Sequence, residues 1–171
     1  MIRVFRALLA LSMLAALAAC GGSKPVSKFR SYSGPPVTQV FVDKSDRKLY
    51  LLSGTTLLRG YEVDLGNQPV GHKQFEGDGK TPEGLYFIAR QNPNSQYHLS
   101  LGVSYPDVTD VSRAMAFGQS AGGDIMIHGR GAYGNSVNKR DWTAGCIAVT
   151  DDEIEEIFAM VRPGTPILIT P

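Results

Sequence analysis

The sequence predicts a mainly β fold with one or two short helices, and three observations carry that prediction. Short apolar runs, most of them four to nine residues long and rich in Val, Ile, Leu, Tyr and Phe, recur with turn formers between them. Only one stretch carries a complete helix signature. No internal repeat is present, and the length left after an N-terminal leader suits one domain with a single core.

The strand candidates in chain order are Val37 to Val42, Lys48 to Leu52, Leu57 to Leu65, Gly84 to Ala89, Tyr97 to Tyr105, Asp124 to His128, Cys146 to Val149 and Thr165 to Thr170. Between the first two, Asp43-Lys44-Ser45-Asp46-Arg47 supplies polar turn residues, which predicts a hairpin. The helix begins after Thr150. Thr150 with Glu153 three residues on forms a capping box, and Asp151 and Asp152 put negative charge where the helix dipole favours it. Ile154, Ile157, Phe158 and Val161 then fall at helical spacing, and Pro163-Gly164 ends the run. A second, shorter helix is expected around Val111 to Phe117.

Residues 1–19 read as a signal segment: Arg3 and Arg6 precede an apolar stretch from Ala7 to Ala19 that is too short to span a bilayer comfortably. Leu17-Ala18-Ala19-Cys20-Gly21 resembles the lipobox of bacterial lipoproteins. That resemblance implies acylation of Cys20 and a chain anchored in the cell envelope, at the periplasmic face of the outer membrane in a Gram-negative host. Residues 20–36, rich in Gly, Ser, Pro and Lys, are expected to be a flexible tether, and 37–171 the folded domain.

Of the 17 Lys and Arg, Arg3 and Arg6 lie in the leader, leaving 15 against 16 Asp and Glu. No basic field advertises nucleic-acid binding. The two cysteines are Cys20 and Cys146. With Cys20 acylated, Cys146 is an unpaired thiol in an oxidising compartment, either a buried structural residue or a reactive group. No close pair such as Cys-x-x-Cys or His-x-x-x-His anchors a metal site, so none is expected.

The informative stretch is Asp124 to Thr150. An apolar run delivers His128 to a Gly-rich loop, and a second run begins at Cys146 directly after Gly145. A thiol needs a neighbouring base to supply thiolate at neutral pH, and an imidazole can take its proton and stabilise the anion. Cys146 and His128 are thus a candidate nucleophile and base. Backbone N–H groups at Gly145 and Cys146 are candidate donors to an oxyanion.

His128-Gly129 followed by Thr143-Ala144-Gly145-Cys146-Ile147 is similar to the signature of the YkuD-type L,D-transpeptidase family, and Gly77-Asp78-Gly79-Lys80-Thr81-Pro82-Glu83-Gly84 resembles a block found upstream in the same family. The resemblance implies an L,D-transpeptidase-like β-sandwich acting on peptidoglycan stem peptides, without a cofactor. Cys146 would attack the carbonyl of the third stem residue and expel the terminal D-alanine. His128 would be the base, the carbonyl of Gly129 would orient it, and an amine would resolve the acyl-enzyme. Water in place of the amine would make the protein a carboxypeptidase or amidase, and a non-catalytic wall-binding lipoprotein is the reading from another class.

Two positions depart from the family pattern. Many members carry His where Ala144 stands and Arg where Ala148 stands. A guanidinium suits a substrate carboxylate, so its replacement leaves that contact open. Arg130, Arg140 and Lys139 are candidate replacements, Trp142 and Thr143 candidate walls of the site, and His98 is either structural or part of the substrate pocket.

Overall fold

The computed structural model describes residues 27–171. The signal segment, Cys20 and the first part of the expected tether lie outside the described residues.

Eight strands are hydrogen-bonded into one sheet: β1 (Gln39–Asp43), β2 (Lys48–Ser53), β3 (Thr56–Glu62), β4 (Gly84–Asn92), β5 (Ser100–Val103), β6 (Met126–His128), β7 (Ile147–Ala148) and β8 (Pro166–Thr170). Their order across the sheet is β3-β2-β1-β8-β4-β5-β6-β7. The predicted hairpin joins β1 and β2, with Val40 opposite Leu51 and Val42 opposite Leu49, and all four side chains are fully buried. This is the period-2 pattern of a half-buried strand, one face inward. β1 also pairs in parallel with β8, whose Ile167 and Ile169 extend the same core.

The sandwich takes the form of a single sheet curled over its own core. β4 belongs to both halves, antiparallel to β8 early and to β5 late, with a register shift between Ile88 and Arg90. Such an irregularity bends a strand and sharpens its twist. The two ends of the sheet then meet just beyond β3, where Asp64 and Ala148 exchange both backbone hydrogen bonds, at 2.9 and 2.8 Å.

Three helices lie among the described residues: α1 (Val108–Ala116), α2 (Gly131–Ser136) and α3 (Asp151–Met160). Helix α3 has the predicted capping box at Thr150 and Glu153, and buries Ile154 and Ile157 over β5 and β6. Helix α1 starts three residues earlier than expected. Its box is Asp107 with Asp110, in which each carboxylate accepts the other's backbone N–H. Helix α2 has no counterpart in the sequence reading. Gly-Ala-Tyr-Gly-Asn-Ser has no apolar period, and its start is held from a distance by Asp151, whose Oδ1 accepts the N–H groups of Arg130 and Gly131 at 2.7 and 2.8 Å.

The described part of the expected tether, residues 27–36, is held against the domain. The Phe29 ring lies 6.3 Å from Phe158, Arg30 bridges Asp152 and Glu155, and the Lys28 ammonium donates to the carbonyls of Pro93 and His98. Composition indicated a linker. Phe29 against Phe158 and Arg30 against the acidic residues of α3 hold the segment to the domain.

Candidate active site

Strands β6 and β7 are parallel neighbours, with Ile127 beside Ile147 and His128 beside Ala148. The two isoleucines enter the core at zero exposure. His128 and Ala148 therefore share the opposite face, and Cys146, two residues before Ala148, falls on that face as well. The register places it diagonally from His128, a separation of about 7–8 Å between backbone positions. Sequence separation hid this proximity, and the parallel pairing creates it.

His128 is 3% exposed. Its Nδ1 lies 2.6 Å from the carbonyl oxygen of Gly129, which can only accept, so Nδ1 carries the proton. Burial holds the imidazole below its ordinary pKa, opposed in part by the Gly129 carbonyl and the Asp151 carboxylate. At neutral pH the ring is uncharged and its lone pair is on Nε2. Tyr97, at 4.5 Å, and Trp142, at 5.7 Å between ring centroids, fix its plane from two sides.

Cys146 is partly exposed and borders a cavity of about 320 Å³ lined also by Lys73, Glu76, Gly122, Asp124 and Ala144. Its thiol donates to the carbonyl of Asp124 at 3.4 Å, so in this rotamer the sulfur is turned along β6 rather than hydrogen-bonded to the imidazole. Burial pushes the thiol above its ordinary pKa. The Met126 N–H and the Lys73 charge pull it down, and the Asp124 carboxylate adds to the rise.

The turn that presents Cys146 is locked by Thr143. Its hydroxyl donates to the Cys146 carbonyl at 2.7 Å and accepts from the Gly145 N–H at 3.1 Å. Gly145 is required twice over. Its φ of +138° lies where L side chains rarely go, and a Cβ there would sit 2.7 Å from the Lys80 carbonyl oxygen. The Gly77 to Gly84 block thus backs the turn, and Asn67 and Leu65 tie the Thr143 backbone on the other side. Because Thr143 occupies the Gly145 N–H, the Cys146 N–H is the one of the two expected oxyanion donors without a protein partner among the described residues.

Of the remaining sequence candidates, Trp142 packs on the imidazole, and the arginines and His98 lie outside the Cys146 cavity. Arg130 donates to Asp64 at 2.8 Å and to the carbonyls of Gly134 and Val137, with its guanidinium 5.4 Å above the Trp142 ring. Trp142 Nε1–H also reaches Asp64, and Arg140 pairs with the same carboxylate at 3.2 Å. Arg130, Arg140 and Ala148 line a separate cavity that Cys146 does not border. His98 precedes β5 with a φ of +72° and bonds Glu155 at 2.8 Å, outside the Cys146 cavity.

Sequence reasoning missed four residues that build the site. Asp64 collects two guanidiniums and the indole, Asp151 holds the backbone after His128, Tyr97 stacks on the imidazole, and Lys73 lines the cavity. Asp151 was legible only as a helix-dipole charge. For the other three no local signal exists, because their partners are between 31 and 78 residues away or, for Lys73, brought together only by the cavity.

The sequence pattern of the L,D-transpeptidase catalytic domain, YkuD, matches residues 38–169. YafK of Escherichia coli (strain K12), whose name assigns it provisionally to the L,D-transpeptidases, is 32% identical over 152 residues, 85% of this chain and 56% of YafK. Among solved structures, a variant of the helical cell shape determining protein Pgp2 from Campylobacter jejuni superposes with a TM-score of 0.60 at 27% identity, over 86% of this chain and 51% of that one. Bd1075 of Bdellovibrio bacteriovorus gives 0.56 at 26% identity, over 83% and 50%. An L,D-transpeptidase from Mycobacterium smegmatis shares the fold, with a TM-score of 0.54 at 15% identity over 81% and 60%. The chain spans about half the length of the relatives it matches.

Proposed function

The chain belongs to the YkuD family of L,D-transpeptidase catalytic domains, and from that premise we propose that it is a cysteine-dependent acyl transferase acting on peptidoglycan stem tetrapeptides. The observation that carries this reading is a neutral imidazole with its lone pair on Nε2, on the same sheet face as a partly exposed thiol at the mouth of a cavity. Rotation of Cys146 about its Cα–Cβ bond, away from the Asp124 carbonyl, is the movement the reaction requires.

In that reading His128 Nε2 takes the thiol proton and the sulfur attacks the carbonyl of the third stem residue. The tetrahedral oxygen is met by the Cys146 N–H, and the imidazolium returns its proton to the departing amine of D-alanine. An incoming amine then attacks the thioester, His128 accepts its proton, and the thiol is regenerated. Charged imidazolium is transient because burial disfavours it, which speeds return of the proton.

Hydrolysis is the second reading, favoured by one feature: no guanidinium stands at Ala148, and the nearby Arg130 and Arg140 are committed to Asp64. Incubating the full chain with tetrapeptide muropeptides separates the outcomes. Crosslinked dimers through two third-position residues support transfer, and tripeptide monomers support hydrolysis. Cys146→Ala should abolish either product and leave folding intact, and turnover by that variant would refute the cysteine assignment.

For the whole protein, acylation of Cys20 would tether the domain to the envelope, and the cell-shape role in the name of the Campylobacter relative is the physiological parallel. Cys20→Ser should release the protein from the membrane fraction. Continued sedimentation with membranes would count against the anchor.

A further inference from the structure

The cavity beside Cys146 is lined by a buried cation, Lys73, which is paired with Asp78 of the Gly77 to Gly84 block. Lys73 is 4% exposed, and its ammonium donates to the Phe75 carbonyl at 3.1 Å and to Asp78 Oδ1 at 2.9 Å. An ammonium has three N–H groups, so one has no protein partner among the described residues. The Asp78 carboxylate is shared: it also accepts the backbone N–H groups of Gln74, Phe75 and Lys80. These bonds hold the carboxylate ionised and occupy acceptor positions that Lys73 would otherwise share. Burying an ammonium is costly unless its donors are met, and here the unmet donor belongs to a residue lining the cavity into which the nucleophile opens.

Other cations are excluded from that cavity. Arg130 and Arg140 border a different one, and Arg90 is spent on the exposed Asp124 carboxylate at the rim. The remaining charged side chains lining it, Glu76 and Asp124, are acidic and repel a carboxylate. Lys73 is therefore the one positive group among the described lining residues that can meet an anion beside the sulfur.

We propose that Lys73 is the specificity-determining residue that receives a substrate carboxylate in the Cys146 cavity, the task left open by Ala148. The identity of that substrate as a stem peptide rests on the function proposed above. Two carboxylates of such a peptide have the required chemistry, the terminal one of the leaving residue and the one on the third-residue side chain.

The test compares alkylation of Cys146 in the full chain by iodoacetate and by iodoacetamide, which differ in charge and little in size. The ratio of the two rates in wild type is expected to fall about tenfold in Lys73→Met and to be largely retained in Lys73→Arg. Lys73→Met leaves Asp78 without its cation, so Lys73→Met with Asp78→Asn removes both charges and should show the same fall. A ratio unchanged in the folded single or double variant overturns the proposal. In a second arm, tetrapeptides amidated at the terminus or at the third-residue side chain are compared with the free acid. The amide that raises KM in wild type, and no longer does so in Lys73→Met, identifies the carboxylate. If both amides raise KM equally in wild type and in Lys73→Met, the proposal is overturned. Absence of all peptide turnover alongside a falling alkylation ratio refutes the proposed function and leaves the anion site standing.

Discussion

Thr143→Val replaces a buried hydroxyl by a methyl of the same shape and so isolates the two hydrogen bonds that hold the nucleophile's turn. Thr143 is 5% exposed, donating to the Cys146 carbonyl and accepting from the Gly145 N–H. Removing the hydroxyl leaves one backbone acceptor and one backbone donor without partners. An unsatisfied buried group costs about 1–3 kcal/mol. The Cys146 side is partly exposed and water can reach it, so the sum is about 2–4 kcal/mol. For a domain of this size each kcal/mol lowers the melting temperature by about 3–5 °C, giving a fall of roughly 6–20 °C. Thermal unfolding followed by circular dichroism measures it, and deuterium exchange at Gly145 should accelerate in parallel. Thr143→Ser keeps the hydroxyl and should recover most of the loss. A Thr143→Val protein melting within about 2 °C of wild type, with Gly145 exchange unchanged, would refute the idea that this side chain sets the turn.

His128 gives a pH dependence with a definite sign. Its folded pKa is depressed by burial below the ordinary value of 6.5, so the stability it contributes is full above about pH 6.5 and declines as pH falls through the depressed folded value. The difference in melting temperature between wild type and His128→Gln should narrow on acidification over that range, and a difference independent of pH would contradict the buried neutral imidazole. The Cys146 thiol is shifted the other way, so its reaction with iodoacetamide should keep rising with pH beyond the ordinary cysteine range; a plateau at neutral pH would show a preformed thiolate instead. Ala148→Arg, which restores the residue many family members carry, should destabilise the fold by about 1–3 kcal/mol in chemical denaturation. Ala148 is 2% exposed and borders the cavity where Arg130 and Arg140 already converge on Asp64. A neutral effect would mean that this corner has room for a third guanidinium.

The legibility of the fold followed the range of the interactions. All eight strands appear where apolar runs predicted them, and α3 begins on its predicted cap, because alternation, helical spacing and capping are written in neighbouring residues. Helix α2 was missed since its N-terminal N–H groups are satisfied by Asp151, twenty residues downstream. The segment from Ser27 to Pro36 looked like a linker by composition, yet Phe29 and Arg30 find partners on α3 that composition does not contain.

For the candidate site, residue order alone specifies the reacting types and their local setting: a histidine before a glycine, and a cysteine after Thr-Ala-Gly, in a chain of the right family. That Gly145 must be glycine became clear only in the fold, where its φ is positive and the Lys80 carbonyl packs against it. Tertiary structure alone decided that β6 and β7 lie side by side, bringing His128 and Cys146 to one face. It also decided that Asp64 captures the arginines that sequence offered as substrate ligands, and that Lys73 reaches the cavity instead. The reason is physical. Backbone periodicity and caps are satisfied within a few residues, whereas strand order and the choice of partner for a buried charge are settled only when distant segments compete for the same space.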